Sequence, residues 1–201
     1  MYAFIFMGRS GCGKGTQVAL LQTFLATKDE TPILHVESGP MFRDFILGEK
    51  FTNKHSREIY DNDDLQPSFL GCFMWSKALL EQATGNEHII FDGVARTLVE
   101  AKVLETAFEF YGITKTFVIN LEVTREWSEK RLLARGRADD ASLEKIDKRL
   151  NWFEEDTMKA IEYYEKSPDY EYVAINGEQT IEKVHDAVRA FVEPLLSKTA
   201  K

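Results

Sequence analysis

The chain has 201 residues, 44% hydrophobic and 29% charged, which is enough for one sizeable core and short for two. Its formal net charge of −8 and pI near 5.1 argue against a broad nucleic-acid or anionic-membrane surface, since such partners need a summed positive field; a polyanionic ligand must be met by a local basic pocket. Cys12 and Cys72 are too few for a disulfide framework or a zinc site, and the N-terminal apolar run is far below the ~20 residues of a membrane span, so the expectation is a protein of the reducing cytoplasm.

In chain order, Tyr2 to Met7 is apolar without alternation, as in a strand buried on both faces of a parallel sheet. A glycine-rich loop and a helix from about Gly15 to Ala26 follow. Ile33 to Val36 reads as a second strand, and Glu37-Ser38-Gly39-Pro40 as a turn. From Met41 to about Leu80 the pattern is helical in pieces, broken near Gly48, at Asp61-Asn62-Asp63-Asp64 and at Pro67, which suits the first position of a helix running to Gln82. Thr84-Gly85-Asn86 is a turn. His88 to Phe91 is a third strand, closed by Asp92-Gly93 where open α/β sheets keep their ligands.

Leu98 to Tyr111 is a predicted helix stopped by Gly112, and Thr116 to Leu121 a fourth strand. Thr124 is a candidate N-cap for Arg125 to Arg135, Gly136 to Asp140 a short charged interruption, and Ala141 to Ser167 one long amphipathic helix stopped by Pro168. Tyr170 to Ile175 is a fifth strand, followed by Asn176-Gly177 and a last helix from about Thr180 to Leu196. Alternating strands and helices predict an α/β fold of one domain: a parallel sheet of about five strands, right-handed crossovers, and helices on both faces. His35 and His88 read as packed core histidines, and Trp75, Trp127 and Trp152 as packing residues.

The chemistry starts at Gly8-Arg9-Ser10-Gly11-Cys12-Gly13-Lys14-Gly15-Thr16. Strand, glycine-rich turn and helix start converge backbone N–H groups on one anion, and Lys14 adds a mobile cation. Gly15 stands where the general phosphate-loop motif has Ser or Thr, with the hydroxyl one residue later at Thr16. Farther on, Arg131 and Arg135 share a helix face, Arg137 follows the break at Gly136, and Arg149 lies on the next helix. Guanidinium groups aimed at one gap suit phosphoryl transfer, in which charge spreads over equatorial oxygens and the protein has little covalent work to do.

Gly-x-x-Gly-x-Gly-Lys-Gly-Thr-Gln resembles the signature of adenylate kinases and related nucleoside monophosphate kinases, and the resemblance runs through essentially the whole chain. Asp92-Gly93-Val94-Ala95-Arg96-Thr97 is similar to the family's Asp-Gly-Phe-Pro-Arg segment, Glu37 to Arg43 to its Ser-Thr-Gly-Asp-x-x-Arg segment, and Arg131 to Arg149 to a short lid. The resemblance implies a helical acceptor-binding insertion at about 37–66 and a reduced lid at about 135–141 within a single domain of residues 1–201. It implies ATP binding by Ser10, Gly11, Cys12, Gly13, Lys14, Gly15, Thr16, Arg131 and Arg135, and acceptor binding by Ser38, Gly39, Arg43, Leu65, Gln66, Gly93, Arg96, Glu100, Arg137 and Arg149. Lys14, Arg96, Arg135, Arg137 and Arg149 would carry the transfer, Asp139 and Asp140 would help fix the lid arginines, and Asp92 would hold Mg²⁺ through water.

Three residues depart from the family pattern. Pro40 replaces an Asp, a second carboxylate near the metal; Ala95 replaces a Pro; and Glu100 stands where adenylate kinases use Gln to read adenine. An ionised Glu only accepts hydrogen bonds, which suits the guanine N1 and N2 donors better than adenine. The overall resemblance is nonetheless to adenylate kinases, and the activity it implies is Mg²⁺-dependent transfer from ATP to AMP by a cytoplasmic monomer. GMP, a pyrimidine monophosphate, or nucleotide binding without transfer remain as alternatives at this stage.

Overall fold

The computed structural model describes residues 1–28, 30–113, 115–136 and 142–197. Five strands, β1 (Ala3–Gly8), β2 (Ile33–Glu37), β3 (His88–Asp92), β4 (Thr116–Glu122) and β5 (Glu171–Asn176), form one sheet in the order β2-β3-β1-β4-β5, every neighbouring pair parallel. Parallel neighbours need long crossovers, and helices supply them: α1 (Lys14–Ala26), α2 (Ser38–Phe45), α3 (Phe51–Asp61), α4 (Ser68–Gln82), α5 (Leu98–Tyr111), α6 (Arg125–Arg135), α7 (Leu143–Trp152), α8 (Met158–Lys166) and α9 (Ile181–Ser197). Among the described residues no helix is long and apolar enough to cross a membrane.

Strand periodicity divides the core in two. On β1, Ala3, Ile5 and Met7 point to one face, where Trp75 and Leu79 of α4, Leu104 and Phe108 of α5, and Ile161 and Tyr164 of α8 cover them. Phe4 and Phe6 point to the other, under Val18, Leu21 and Leu25 of α1 and Val184, Val188 and Val192 of α9. Each such side chain contributes about 1.5–3 kcal/mol on burial, and β1, covered on both faces, has to be apolar throughout.

Local chemistry sets the boundaries. Thr124 caps α6 by accepting from the Trp127 N–H, Thr97 caps α5 by accepting from the Glu100 N–H, and Gly112 and Gly136 end α5 and α6 in the left-handed conformation at φ 63° and 64°. Two expectations are corrected. Glu37 to Pro40 is not a turn, because α2 begins at Ser38 and Pro40 falls in its first turn, where a missing N–H leaves no helical bond unmade. The expected long helix from Ala141 to Ser167 is, over its described part, α7 and α8 joined by a π-helical turn, Phe153–Thr157. Pro67 lies one residue earlier than expected, at the N-cap of α4.

Candidate active site

β1 lies between β3 and β4 while the chain returns to β2 at the sheet edge, so a crevice opens at the carboxyl ends of β1 and β3. The glycine-rich loop fills its floor. Gly8 leaves β1 at φ 129°, and a Cβ there would stand 2.5 Å from the Leu121 carbonyl oxygen, so only glycine fits. Gly11 and Gly13 also have positive φ, 83° and 100°, which turns the loop back on itself. Lys14 folds over it, donating to the Gly8 carbonyl at 2.6 Å and the Arg9 carbonyl at 3.1 Å. The N-terminus of α1 has no side-chain cap and no acidic residue in its first turn, which leaves its N–H groups and positive dipole end open to an anion. Arg9 anchors the loop from behind, donating to the Val123 carbonyl at 2.9 Å and to Glu154 at 2.8 Å, with its guanidinium 5.0 Å from the Phe153 ring centre.

The opposite wall is built from the end of β3 and the start of α2. Gly93, at φ 65°, lets the Arg96 side chain double back, and Arg96 Nε donates to the Gly93 carbonyl at 2.8 Å. Ser38 Oγ donates to the same carbonyl at 2.6 Å and accepts from Arg96 Nη2 at 3.1 Å. Burial pulls the Arg96 guanidinium down from its ordinary value and the nearby Glu100 pushes it back up; an arginine stays a cation in either case. Ala95 sits at φ 57°, a conformation closed to proline, so the departure from the family pattern at this position has a backbone consequence. Arg43 rises from α2 next to Gly39, whose added Cβ would lie 3.2 Å from Arg43 Nη1.

The third side carries arginines. Arg131 and Arg135, one turn apart on α6, and Arg149 on α7 line the same cleft, whose volume is about 850 Å³. Arg131 also lies 5.6 Å over the Trp127 ring, and Arg96 lies 5.6 Å from the Trp152 ring centre. Leu65, Gln66, Asp92, Gly93, Gly39, Ser10 and Thr16 complete the wall. Gln66 is held by Ser56, donating to its carbonyl and accepting from its hydroxyl, both at 2.9 Å. Arg137, Asp139 and Asp140 lie outside the described residues.

Three expected site residues stand behind the wall rather than in it. Cys12 is buried, its Sγ 3.6 Å from Lys14 Nζ. Ser38 is turned to Gly93 and Arg96. Glu100 is 4% exposed; its carboxylate accepts from the Arg96 N–H at 3.2 Å and the Thr97 hydroxyl at 3.3 Å, and it packs on Gly71 of α4. Burial and the adjacent Glu100 push the Cys72 thiol up to about 11, so it stays protonated and unreactive near neutral pH.

Sequence reasoning missed seven cleft residues, Glu37, Phe42, Tyr60, Asp63, Asp64, Ala134 and Trp152. Trp152 and Asp63 carry no local signal, because packing across the cleft brings them there. Glu37 had one, since it ends a strand beside the strand that ends in Asp92. His35 is likewise corrected: it is half-buried, and its ring reaches Glu37 and Asp92. His88 does lie in the core, 4% exposed, stacked on Tyr2 and accepting from its N–H.

The adenylate kinase sequence model matches residues 6–168. The chain belongs to the adenylate kinase family. Its similarity to named relatives covers nearly its full length: 30% identity to an adenylate kinase of Flavobacterium johnsoniae, over 97% of this chain and 100% of the relative. It is 31% identical to one from Flavobacterium psychrophilum over 92% and 94% of the two chains, and 32% identical to adenylate kinase 1 of a Nostoc species over 94% and 98%. Members of this family are phosphotransferases acting on nucleotides, and the enzyme class of this chain follows from its membership.

Proposed function

We propose that this chain catalyses reversible transfer of the ATP γ-phosphoryl group to AMP, giving two ADP. The observation that carries the proposal is the placement of six cations, Lys14, Arg43, Arg96, Arg131, Arg135 and Arg149, around one cleft of a protein whose net charge is −8. A net-acidic surface with a concentrated basic cleft is what selective capture of polyphosphates requires. In this reading the loop from Ser10 to Thr16, with Cys12 contributing backbone only, cradles the donor phosphates, and Arg131 lies against its base. Ser38, Gly39, Leu65, Gln66, Gly93 and Arg43 surround the acceptor, and Arg96, oriented by Gly93 and Ser38, aligns its phosphate oxygen. Arg135, Arg137 and Arg149 balance the charge that develops on the transferred group. No covalent intermediate is needed.

Magnesium is part of the proposal. Asp92 is 7% exposed, lines the cleft, and has no hydrogen bond or ion pair to any described residue, while Thr16 brings a hydroxyl to the same cleft. A carboxylate and a hydroxyl beside a phosphate loop suit a hydrated Mg²⁺, whose role is to neutralise donor phosphate oxygens. Asp92 would hold it through water.

The segments at 37–66 and 135–141 are read as the acceptor-side insertion and a short lid whose closure excludes water from the transferred group. The single chain supplies both sides of the cleft, which supports a monomer, and its two free cysteines support a reducing, cytoplasmic setting. The test is ADP formation from MgATP against a panel of AMP, GMP, CMP and UMP. AMP is expected to have the highest kcat/KM; no transfer to any of the four overturns the assignment, and preference for GMP overturns the choice of base.

A further inference from the structure

The ends of β2 and β3 place three metal-binding side chains on one face of the sheet. Glu37 is the register partner of Asp92, so the two carboxylates stand side by side, and His35, two residues before Glu37, shares its face. One donor atom from each of the three lies within 4.8 Å of the others. Ligands about 2.1–2.2 Å from a common ion stand about 3.0 Å apart when cis and about 4.3 Å apart when trans, so three donors within 4.8 Å of one another reach one ion by side-chain rotations of up to about an ångström each.

The Arg96 charge acts on Asp92 from a distance, but no cation contacts these groups directly among the described residues. Neither Glu37 nor Asp92 hydrogen-bonds or ion-pairs with a described residue, and Asp92 is 7% exposed and faces the cleft. His35 Nε2 is shielded from solvent with no hydrogen-bond partner. Two adjacent carboxylates and a buried imidazole nitrogen without partners are costly unless a cation satisfies them. Glu37 and Asp92 line the cleft together with Gly15, whose added Cβ would stand 3.8 Å from Asp92 Oδ2.

We propose that His35, Glu37 and Asp92 form a direct binding site for a first-row transition-metal dication such as Mn²⁺ or Co²⁺. A nitrogen donor beside two carboxylates favours such ions over Mg²⁺, which dehydrates reluctantly and takes oxygen ligands. The site differs from the water-mediated contact of a nucleotide-bound Mg²⁺ with Asp92, since it needs no nucleotide. What the ion contributes to phosphoryl transfer rests on the proposed function; whether it binds does not.

The test is titration of the nucleotide-free protein with MnCl₂, following the free-ion EPR signal. One Mn²⁺ per chain is expected, retained against a hundredfold excess of MgCl₂, with ¹⁴N modulation in the spin echo from the His35 ring. Glu37→Gln and His35→Asn should each weaken Mn²⁺ binding tenfold or more, with folding checked by circular dichroism. Absence of a stoichiometric site in the wild type, absence of ¹⁴N coupling, or unchanged affinity in both folded variants overturns the proposal. The wild-type echo experiment needs no variant to fold. MgATP-to-AMP transfer is assayed in parallel: transfer without Mn²⁺ binding removes this inference and leaves the proposed function, and binding without transfer does the reverse.

Discussion

Arg149 of α7 ion-pairs with Asp63 at 2.5 Å, and the two side chains are 12% and 3% exposed. Asp63 is in the left-handed region at φ 55°, which bends the chain after α3 and aims its carboxylate at α7. The contact is reinforced nearby: Lys145 ion-pairs with Asp63 at 3.1 Å and donates to the Asp61 carbonyl at 2.9 Å, Lys148 donates to the Asn62 carbonyl at 3.2 Å, and Trp152 Nε1 donates to the Asp63 carbonyl at 3.3 Å. An arginine proposed to bind phosphate is thus held by a carboxylate of the segment proposed to bind the acceptor.

Asp63→Asn tests that latch. Asparagine tolerates the left-handed backbone but removes the buried negative charge that Arg149 and Lys145 both pair with. A loss of about 3 kcal/mol is expected, which for a chain of this size lowers Tm by roughly 6–12 °C in a thermal melt. An unchanged Tm means the pair is solvated and the latch does not hold.

Lys14→Ala removes the cation that folds over the loop without touching the buried core. Transfer should fall by about 10²–10³-fold in kcat, in keeping with loss of one preorganised charge-stabilising group, while the thermal melt stays near wild type. Wild-type turnover in the variant contradicts the assignment of this loop to the donor phosphates.

Arg96→Lys keeps the charge but cannot bond Gly93 and Ser38 in the planar fork that orients Arg96. Steady-state kinetics should show kcat/KM for AMP reduced by roughly 10²-fold with the KM for ATP little changed. An equal loss towards both substrates places Arg96 outside the acceptor half of the cleft.

Glu100→Gln reports on both stability and base choice. Burial raises the Glu100 carboxyl above its ordinary value, and the Arg96 N–H, the Arg96 charge and the Thr97 hydroxyl offset only part of that. The folded state therefore holds this proton more tightly than the unfolded chain. Its contribution to stability is complete below the unfolded carboxylate pKa of about 4.3 and is lost as pH rises through the higher folded value. The glutamine variant lacks this decline, so its Tm should exceed that of the wild type by a few degrees at pH 8 and by less at pH 5. Equal Tm differences at the two pH values contradict the assignment. In the nucleotide panel, the ratio of AMP to GMP transfer should stay within about threefold of wild type, because the carboxylate is engaged with Arg96 and Thr97 rather than lining the cleft.

Much of this molecule was legible in the sequence because local signals decide it. The uninterrupted apolar run at Ala3 to Met7 specifies a strand buried on two faces. Gly8, Gly11 and Gly13 specify a loop only positive φ can make, Thr124 and Gly112 mark helix ends, and the motifs around Lys14, Arg43 and Arg96 single out three residues that line the cleft. These features depend on residues close together in the chain, where backbone sterics, capping and side-chain period act directly.

Tertiary structure decided what depends on partners far away. The sequence around Glu100 identified a departure at a base-reading position, but packing on Gly71 and bonding to Arg96 and Thr97 turned it inward. Asp63 looked like part of a polar break until α7 brought Arg149 to it across 86 residues. His35 looked like a core histidine until the parallel register set Glu37 against Asp92. Local sequence encodes backbone conformation and burial; which charge meets which is fixed only when the sheet order and the helix packing bring the ends of separate elements to one crevice.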